Sequence, residues 1–219
     1  MDFLQSPLSS IKLNSQTSMN LSFKSVIQKQ LQQNKTGWNR SFLDGFSQDK
    51  DGKALPWMTY PAIEFLKKNL QKNQIIFEFG CGASTLFFAK RVKKVISLET
   101  DPRWFAIIKN KLVEESLSNV EITLMTDGLT NNLYQNFAKN YGEKFDFIVV
   151  DSLKRFECAK NSVKALKEGG SLILDDSERK NYQKIFDFFA ENNFTKEDFF
   201  GIAPGQLKMK NTTIFSKLL

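Results

Sequence analysis

The chain contains no histidine. That excludes histidine general bases, histidine-ligated metals, and the Ser-His-Asp and Cys-His hydrolases. Cysteine is scarce, with two in 219 residues, Cys81 and Cys158. Cys81 lies between two glycines, where a disulfide would obstruct a ligand, so two reduced thiols are expected. No apolar run approaches the roughly 20 residues that span a bilayer. The opening MDFLQSPLSSIKLNSQ lacks the basic start and apolar stretch of a secretory signal. A cytoplasmic location with no membrane span is the expectation. Dense Lys/Arg clusters with interleaved aromatics are also missing. Lys90-Arg91 and Lys93-Lys94 fall at the end of a helical segment, where cations suit the dipole and solvent, so nucleic acid is not expected as a partner.

What remains is an ordinary globular composition, 41% hydrophobic and 25% charged, with a net charge of +7. Five basic residues against Asp2 alone lie in residues 1–40. Residues 1–23 are rich in Ser, Asn and Gln and read, with a short helix at 24–33, as an arm over 1–35. One domain over 36–219 follows, in which the irregular, aromatic-bearing segment 36–61 is a cap or a lid. From Ala62 the spacing of Ile63, Phe65, Leu66 and Leu70 predicts a helix. Strands are expected at 74–79, 94–99, 120–125, 145–150, 171–175, 194–200 and 211–216. Helices are expected at 84–91, 102–117, 130–140, 156–167 and 178–192. This alternation predicts an α/β fold with a parallel sheet and helices on both faces.

The most informative stretch is NQIIFEFGCGASTLFFAKRVKKVISLETD, residues 73–101. It reads as strand, glycine turn, helix, strand, acidic residue. Gly80 and Gly82 let the chain approach a ligand closely, and Glu99 at the end of the second strand can accept from ribose hydroxyls. A dinucleotide fingerprint wants a glycine where Thr85 stands, and Glu78 would repel a pyrophosphate. Glu78 suits an ammonium group instead.

The string E-x-G-x-G-x-x-T resembles the first motif of class I S-adenosylmethionine-dependent methyltransferases. The resemblance implies a Rossmann-like, seven-stranded, mostly parallel sheet with an antiparallel last strand, and S-adenosylmethionine as cofactor. It implies a cofactor site built from Glu78, Gly80, Cys81, Gly82, Ser84, Thr85, Glu99, Thr100 and Asp151, with Asp127-Gly128 near the adenine. An Asp-Gly pair is equally a plain turn.

Ligands of open α/β sheets sit outside the carboxyl ends of the strands. There the chain carries Asp151-Ser152-Leu153-Lys154 after the fourth strand and Asp175-Asp176 after the fifth. Three carboxylates at neighbouring strand ends repel unless something positive lies between them. They suit a hard cation such as Mg²⁺, held by Asp151, Asp175 and Asp176, or a general base; Asp175 and Asp176 are equally read as solvated or capping residues. This is similar to the catechol O-methyltransferases, in which an Asp-x-x-Lys supplies metal ligand and lysine base, so Asp151 and Lys154 are the expected catalytic residues.

A wider likeness to small bacterial methyltransferases of glycan and natural-product pathways rests on LPWMTYPAIEFL (55–66), VVDSLKRFECAKNSV (149–163), LKEGGSLILDDSERKNY (166–182) and FFGIAPG (199–205). It spans roughly 36–217. It implies that Trp57, Thr59 and Tyr60 close over the cofactor and that Arg155 and Arg179 face the acceptor; the alternative pairs those arginines with Glu157 and Glu178 at the surface. A small-molecule or glycan hydroxyl is the expected acceptor, and a homo-oligomer is left open. The sequence reading keeps two rivals: a nicotinamide oxidoreductase, and a nucleotide-binding module without catalysis. An amino-methylating RNA enzyme would want an aromatic-proline motif where DSLK stands.

Overall fold

Ile75 to Phe79 alternate between two apolar layers, Phe77 and Phe79 facing one and Ile76 the other, as the period of two in a strand requires. Buried on both faces from Ile76 onward, this strand is an interior strand of the sheet. The computed structural model describes residues 36–127 and 132–217. In chain order its elements are α1 (Trp38–Asp44), α2 (Tyr60–Asn69), β1 (Ile75–Phe79), α3 (Ala83–Ala89), β2 (Lys94–Glu99), α4 (Pro102–Glu114) and β3 (Val120–Leu124). There follow α5 (Leu133–Asn140), β4 (Phe145–Val150), α6 (Arg155–Ser162), β5 (Leu166–Leu174), α7 (Gln183–Glu191), β6 (Phe194–Ile202) and β7 (Met209–Lys217). Short 3₁₀ turns occupy Val163–Ala165 and Lys180–Tyr182.

The seven strands lie in the order β3-β2-β1-β4-β5-β7-β6. Pairings from β3 through β5 are parallel, whereas β7 is antiparallel to both β5 and β6. The expected fold class therefore holds, including the antiparallel last strand. The strand order reverses between β1 and β4, so a crevice opens at their carboxyl ends. Local chemistry starts the helices that flank it. The Thr59 hydroxyl accepts from Ala62 N ahead of α2, and Asp101 Oδ1 accepts from Arg103 N ahead of α4, each with proline in the first turn.

Three sequence expectations need correction. Segment 36–61 is not irregular throughout: it contains α1 and a bridge between Gln48 and Ala54. It is also anchored, with Trp38, Leu55 and Met58 buried. A second difference is the β5 start. The sequence reading runs the helix to 167 and starts the strand at 171, yet Leu166 already pairs with Phe145 across a register shift. Residues 167–170 are the extra length at that shift, and the preceding helix ends at Ser162, before the 3₁₀ turn. Third, α7 starts at Gln183 rather than 178, after the 3₁₀ turn. The expected helix at 24–33, Gly128 and the start of the 130–140 helix lie outside the described residues. Among the described residues, no helix is long and apolar enough to cross a membrane.

Candidate active site

A cavity of about 250 Å³ lies at the carboxyl ends of β1, β2 and β4. Its floor is the glycine turn. Gly80 has φ +96°, and a Cβ there would lie 3.1 Å from the Asp151 carbonyl oxygen, so only glycine lets β1 and β4 end side by side. Gly82 differs from the expectation: its φ of −176° is extended backbone open to any residue. What its missing side chain provides is space, since a Cβ there would meet only Ser84 Oγ at 3.9 Å. Thr85 is buried and its hydroxyl accepts from Gly82 N at 3.1 Å. It ties down the turn where a dinucleotide fold would place glycine. The thiol of half-buried Cys81 is pushed up by burial and by the neighbouring carboxylates Glu99 and Glu78, so it is a poor nucleophile.

Two carboxylates face this floor. Glu78 is fully buried and accepts from Ser97 Oγ at 2.9 Å through Oε2. Its Oε1 has no hydrogen-bond partner among the described residues. Burial raises its pKa to about 7, opposed by the hydroxyls of Ser84, Thr85 and Ser97. Of these, only Ser97 makes a hydrogen bond of normal geometry. A buried, unsatisfied carboxylate oxygen is costly unless a donor arrives. The ammonium group of an amino-acid moiety is such a donor, so the residues fit S-adenosylmethionine. Glu99 is more fully engaged. Its Oε2 accepts from Cys81 N at 2.7 Å, and its Oε1 accepts from Thr100 N at 2.6 Å and Asp101 N at 2.7 Å. Three backbone donors hold the carboxylate at the cavity lining and leave one of its roughly four lone-pair positions for a hydroxyl donor.

Because the folded-state pKa of Glu78 lies above its unfolded value, Glu78 stabilises the protein below about pH 4.5 and loses that contribution as pH rises through about 7. The full shift corresponds to about 3 kcal/mol. Asp175 is shifted in the same direction. In urea titrations of the ligand-free protein, Glu78→Gln is expected to flatten the decline between these pH values. A variant that keeps the wild-type slope would refute the assignment.

Behind the cavity the end of β4 meets the end of β5. Oxygens of Asp151, Asp175 and Asp176 lie within 4.8 Å of one another, so the structure gathers the expected triad. The charge between them is supplied by side chains. Lys210, 1% exposed, places Nζ 2.8 Å from Asp176 Oδ1 and also bonds Asp175 Oδ2. Arg155 Nη2 donates to Asp151 Oδ1 at 2.7 Å, and Arg179 pairs with Asp176. Three acids thus face three bases. A divalent cation would bring two surplus charges into a charge-balanced cluster in which Asp175, Asp176 and Lys210 are buried, and the residues do not fit one.

Burial raises the Asp151 and Asp175 carboxyls, while Arg155 and Lys210 pull Asp151 down and Lys210 pulls Asp175 down. Burial acts the same way on Asp176, but Lys210 and two arginines outweigh it and its pKa is lowered. The Asp151 side chain is 39% exposed toward the cavity it lines, so it is the carboxylate of the three most open to an incoming group.

Other expected residues sort by position. Trp57 lines the cavity, donates from Nε1 to Pro204 O at 2.6 Å, and meets the Trp104 ring edge-on at 6.4 Å. Thr59 and Tyr60 do not line it: Thr59 caps α2 and donates to Phe199 O at 2.9 Å, and Tyr60 packs on the core. Thr100 contributes only its backbone. Asp127 is exposed beyond the cavity walls. Lys154 is exposed with φ +48° at the start of α6, away from the cavity lining, which disfavours it as the base. Arg155 and Arg179 pair with Asp151 and Asp176 rather than with Glu157 and Glu178. Sequence reasoning missed Phe46, Ser47, Met58 and Trp104, which line the cavity, and Lys210. A signal for Lys210 was present: the strand alternation puts it on the same face as Thr212 and core residue Ile214.

A family model described as "Ribosomal RNA adenine dimethylase" matches residues 64–161, less than half of the chain. A probable ribosomal RNA small subunit methyltransferase A of Methanosphaera stadtmanae is 43% identical over 56 residues, 25% of this chain. The chain spans about a fifth (21%) of that curated relative. Among solved structures, an rRNA methylase from Streptococcus thermophilus superposes with TM-score 0.57 at 18% identity, over 73% of this chain and 97% of its own. A putative methyltransferase from Streptococcus mutans in complex with SAH gives 0.54 at 20% identity, over 70% and 94%. An O-methyltransferase from Thermotoga maritima gives 0.54 at 16%, over 73% and 64%. Ribosomal RNA methyltransferases among these relatives overturn the expectation that nucleic acid is not a partner. Composition misled because it looked for one dense basic patch. By strand order, glycine turn and likeness, the chain has the fold of the class I S-adenosylmethionine-dependent methyltransferases.

Proposed function

We propose that this chain is an S-adenosylmethionine-dependent methyltransferase whose acceptor is RNA. The observation that carries the reading is that buried Glu78, whose Oε1 has no hydrogen-bond partner among the described residues, lines the same cavity as Glu99. S-Adenosylmethionine, when bound, supplies a methyl group made electrophilic by its sulfonium. Glu78 accepts from the ammonium end, and Glu99 accepts from a ribose hydroxyl. The glycine turn keeps side chains out of the path between them. Trp57 and Trp104 shield the reacting centre from water. Asp151, at the cavity wall with a raised pKa, takes the proton lost by the acceptor. Most of the acceleration comes from alignment, because the displacement asks little covalent chemistry of the protein.

RNA as acceptor rests on the ribosomal RNA relatives and on exposed cations at the same sheet edge. Lys154 follows β4, Lys180 follows β5 and Lys208 precedes β7, all exposed. Lysines spread over several loops suit a phosphate backbone better than a compact ligand. Three measurements test the reading. S-Adenosylhomocysteine is expected to raise the melting temperature and NAD to leave it unchanged. Labelled methyl groups are expected to pass to RNA and not to oligosaccharides, with transfer falling steeply as salt rises. Asp151→Asn is expected to lose turnover while keeping cofactor affinity. Nuclease digestion of the product identifies the methylated atom, and transfer to oligosaccharides alone would overturn RNA as acceptor.

A further inference from the structure

Lys210 is among the most buried side chains of the protein, at 2% side-chain accessibility. It reaches from β7 to the two acids that follow β5. Its three N–H groups find three oxygens: Asp175 Oδ2, Asp176 Oδ1 at 2.8 Å, and the Trp57 carbonyl at 3.0 Å. An ammonium has three donors and no acceptor, so this set completes its hydrogen bonding. The rest of the cluster is completed too. Thr212 Oγ1 donates to Asp175 Oδ1 at 2.7 Å, and Arg155 bonds Asp151 and the Asp175 carbonyl.

We infer that Lys210 is the built-in cation of this site, standing where the carboxylate spacing would otherwise suit a divalent ion, and that through Trp57 it positions the cavity lip. Two consequences follow from the contacts. Five of the six carboxylate oxygens are already held by an ammonium, a guanidinium or a hydroxyl, which leaves Asp151 Oδ2 to the cavity and too few oxygens to coordinate a divalent ion. The Trp57 backbone is held by Lys210 on one side while its indole is held by Pro204 O on the other. Lys210 touches no reacting group, so it is a positioning residue. The lip half of the inference rests on reading the cavity as the cofactor site; the cation half stands apart from it.

Manganese titration of the wild-type protein followed by electron paramagnetic resonance tests the cation half without reference to methyl transfer. No stoichiometric binding is expected up to about 1 mM, a concentration well above that needed by tight carboxylate sites. One bound Mn²⁺ per chain below that concentration overturns it, as does a tenfold gain in S-adenosylhomocysteine affinity on replacing EDTA with Mg²⁺. For the lip half, Lys210→Met is expected to speed amide exchange of residues 55–60 by roughly tenfold or more over the change in β2, and to weaken S-adenosylhomocysteine binding. Uniform acceleration across the molecule would mean a structural role only and would overturn positioning. If Lys210→Met does not fold, the charge-matched Lys210→Met/Asp175→Asn variant carries the same comparison. Exchange at 55–60 reads the lip even if the protein binds no S-adenosylhomocysteine, so failure of the cofactor reading is seen separately.

Discussion

Glu99→Ala is expected to lower affinity for S-adenosylhomocysteine by roughly 100-fold or more. A hydrogen bond from a ribose hydroxyl to the one lone-pair position left on Glu99 contributes about 1.5–3 kcal/mol, roughly 10- to 100-fold, and disturbance of the glycine turn adds to it. The effect reaches the site as well as the ligand. Glu99 also accepts from the backbone N–H groups of Cys81, Thr100 and Asp101. Alanine leaves those donors without the carboxylate and loosens the link between the glycine turn and the end of β2. Glu99→Gln keeps the shape but turns one oxygen into a donor that faces other donors, so it should fall near alanine rather than near wild type. Calorimetric titration separates the cases. Unchanged affinity in Glu99→Ala would sink the ribose assignment.

Lys210→Met is expected to be the most destabilising single substitution at the site. It removes the ammonium between Asp175 and Asp176, both buried, and leaves acidic groups without their main compensation. Breaking a buried ion pair from one side costs about 3–5 kcal/mol. For a chain of this size that lowers the melting temperature by roughly 6–20 °C. The sign with pH is fixed by the remaining acids. As pH falls they protonate, repulsion fades, and the gap between variant and wild type should narrow. Adding Asp175→Asn to Lys210→Met should recover part of the loss at neutral pH. Thermal melts of the three proteins across pH check this, and a gap that widens in acid would count against the account.

Much of the cavity floor was legible in the sequence because its determinants are local. The run Ile75–Phe79, the turn Glu78–Thr85 and the acid Glu99 lie within 25 residues, and the strand–turn–helix–strand order follows from hydrophobic periodicity. Thr85 shows how far that reading went. Its presence argued against a dinucleotide, but its role in accepting from Gly82 N is visible only in three dimensions. The aromatic residues of 36–61 stood out without an address, since a segment lacking periodicity carries no information about the surface it packs on.

What the sequence by itself determined is the α/β order, the glycine turn, the acids at the strand ends and, through the absence of histidine, the chemistries that are out of reach. Tertiary structure decided how the charges are shared. Asp151 and Asp175 lie 24 residues apart, and Lys210 follows Asp175 by 35. Only the antiparallel return of β7 beside β5 brings its ammonium onto Asp175 and Asp176. Carboxylates at neighbouring strand ends require a positive partner, a demand that can be read from sequence. Which partner meets it depends on long-range strand pairing, and here it is a buried lysine from the last strand.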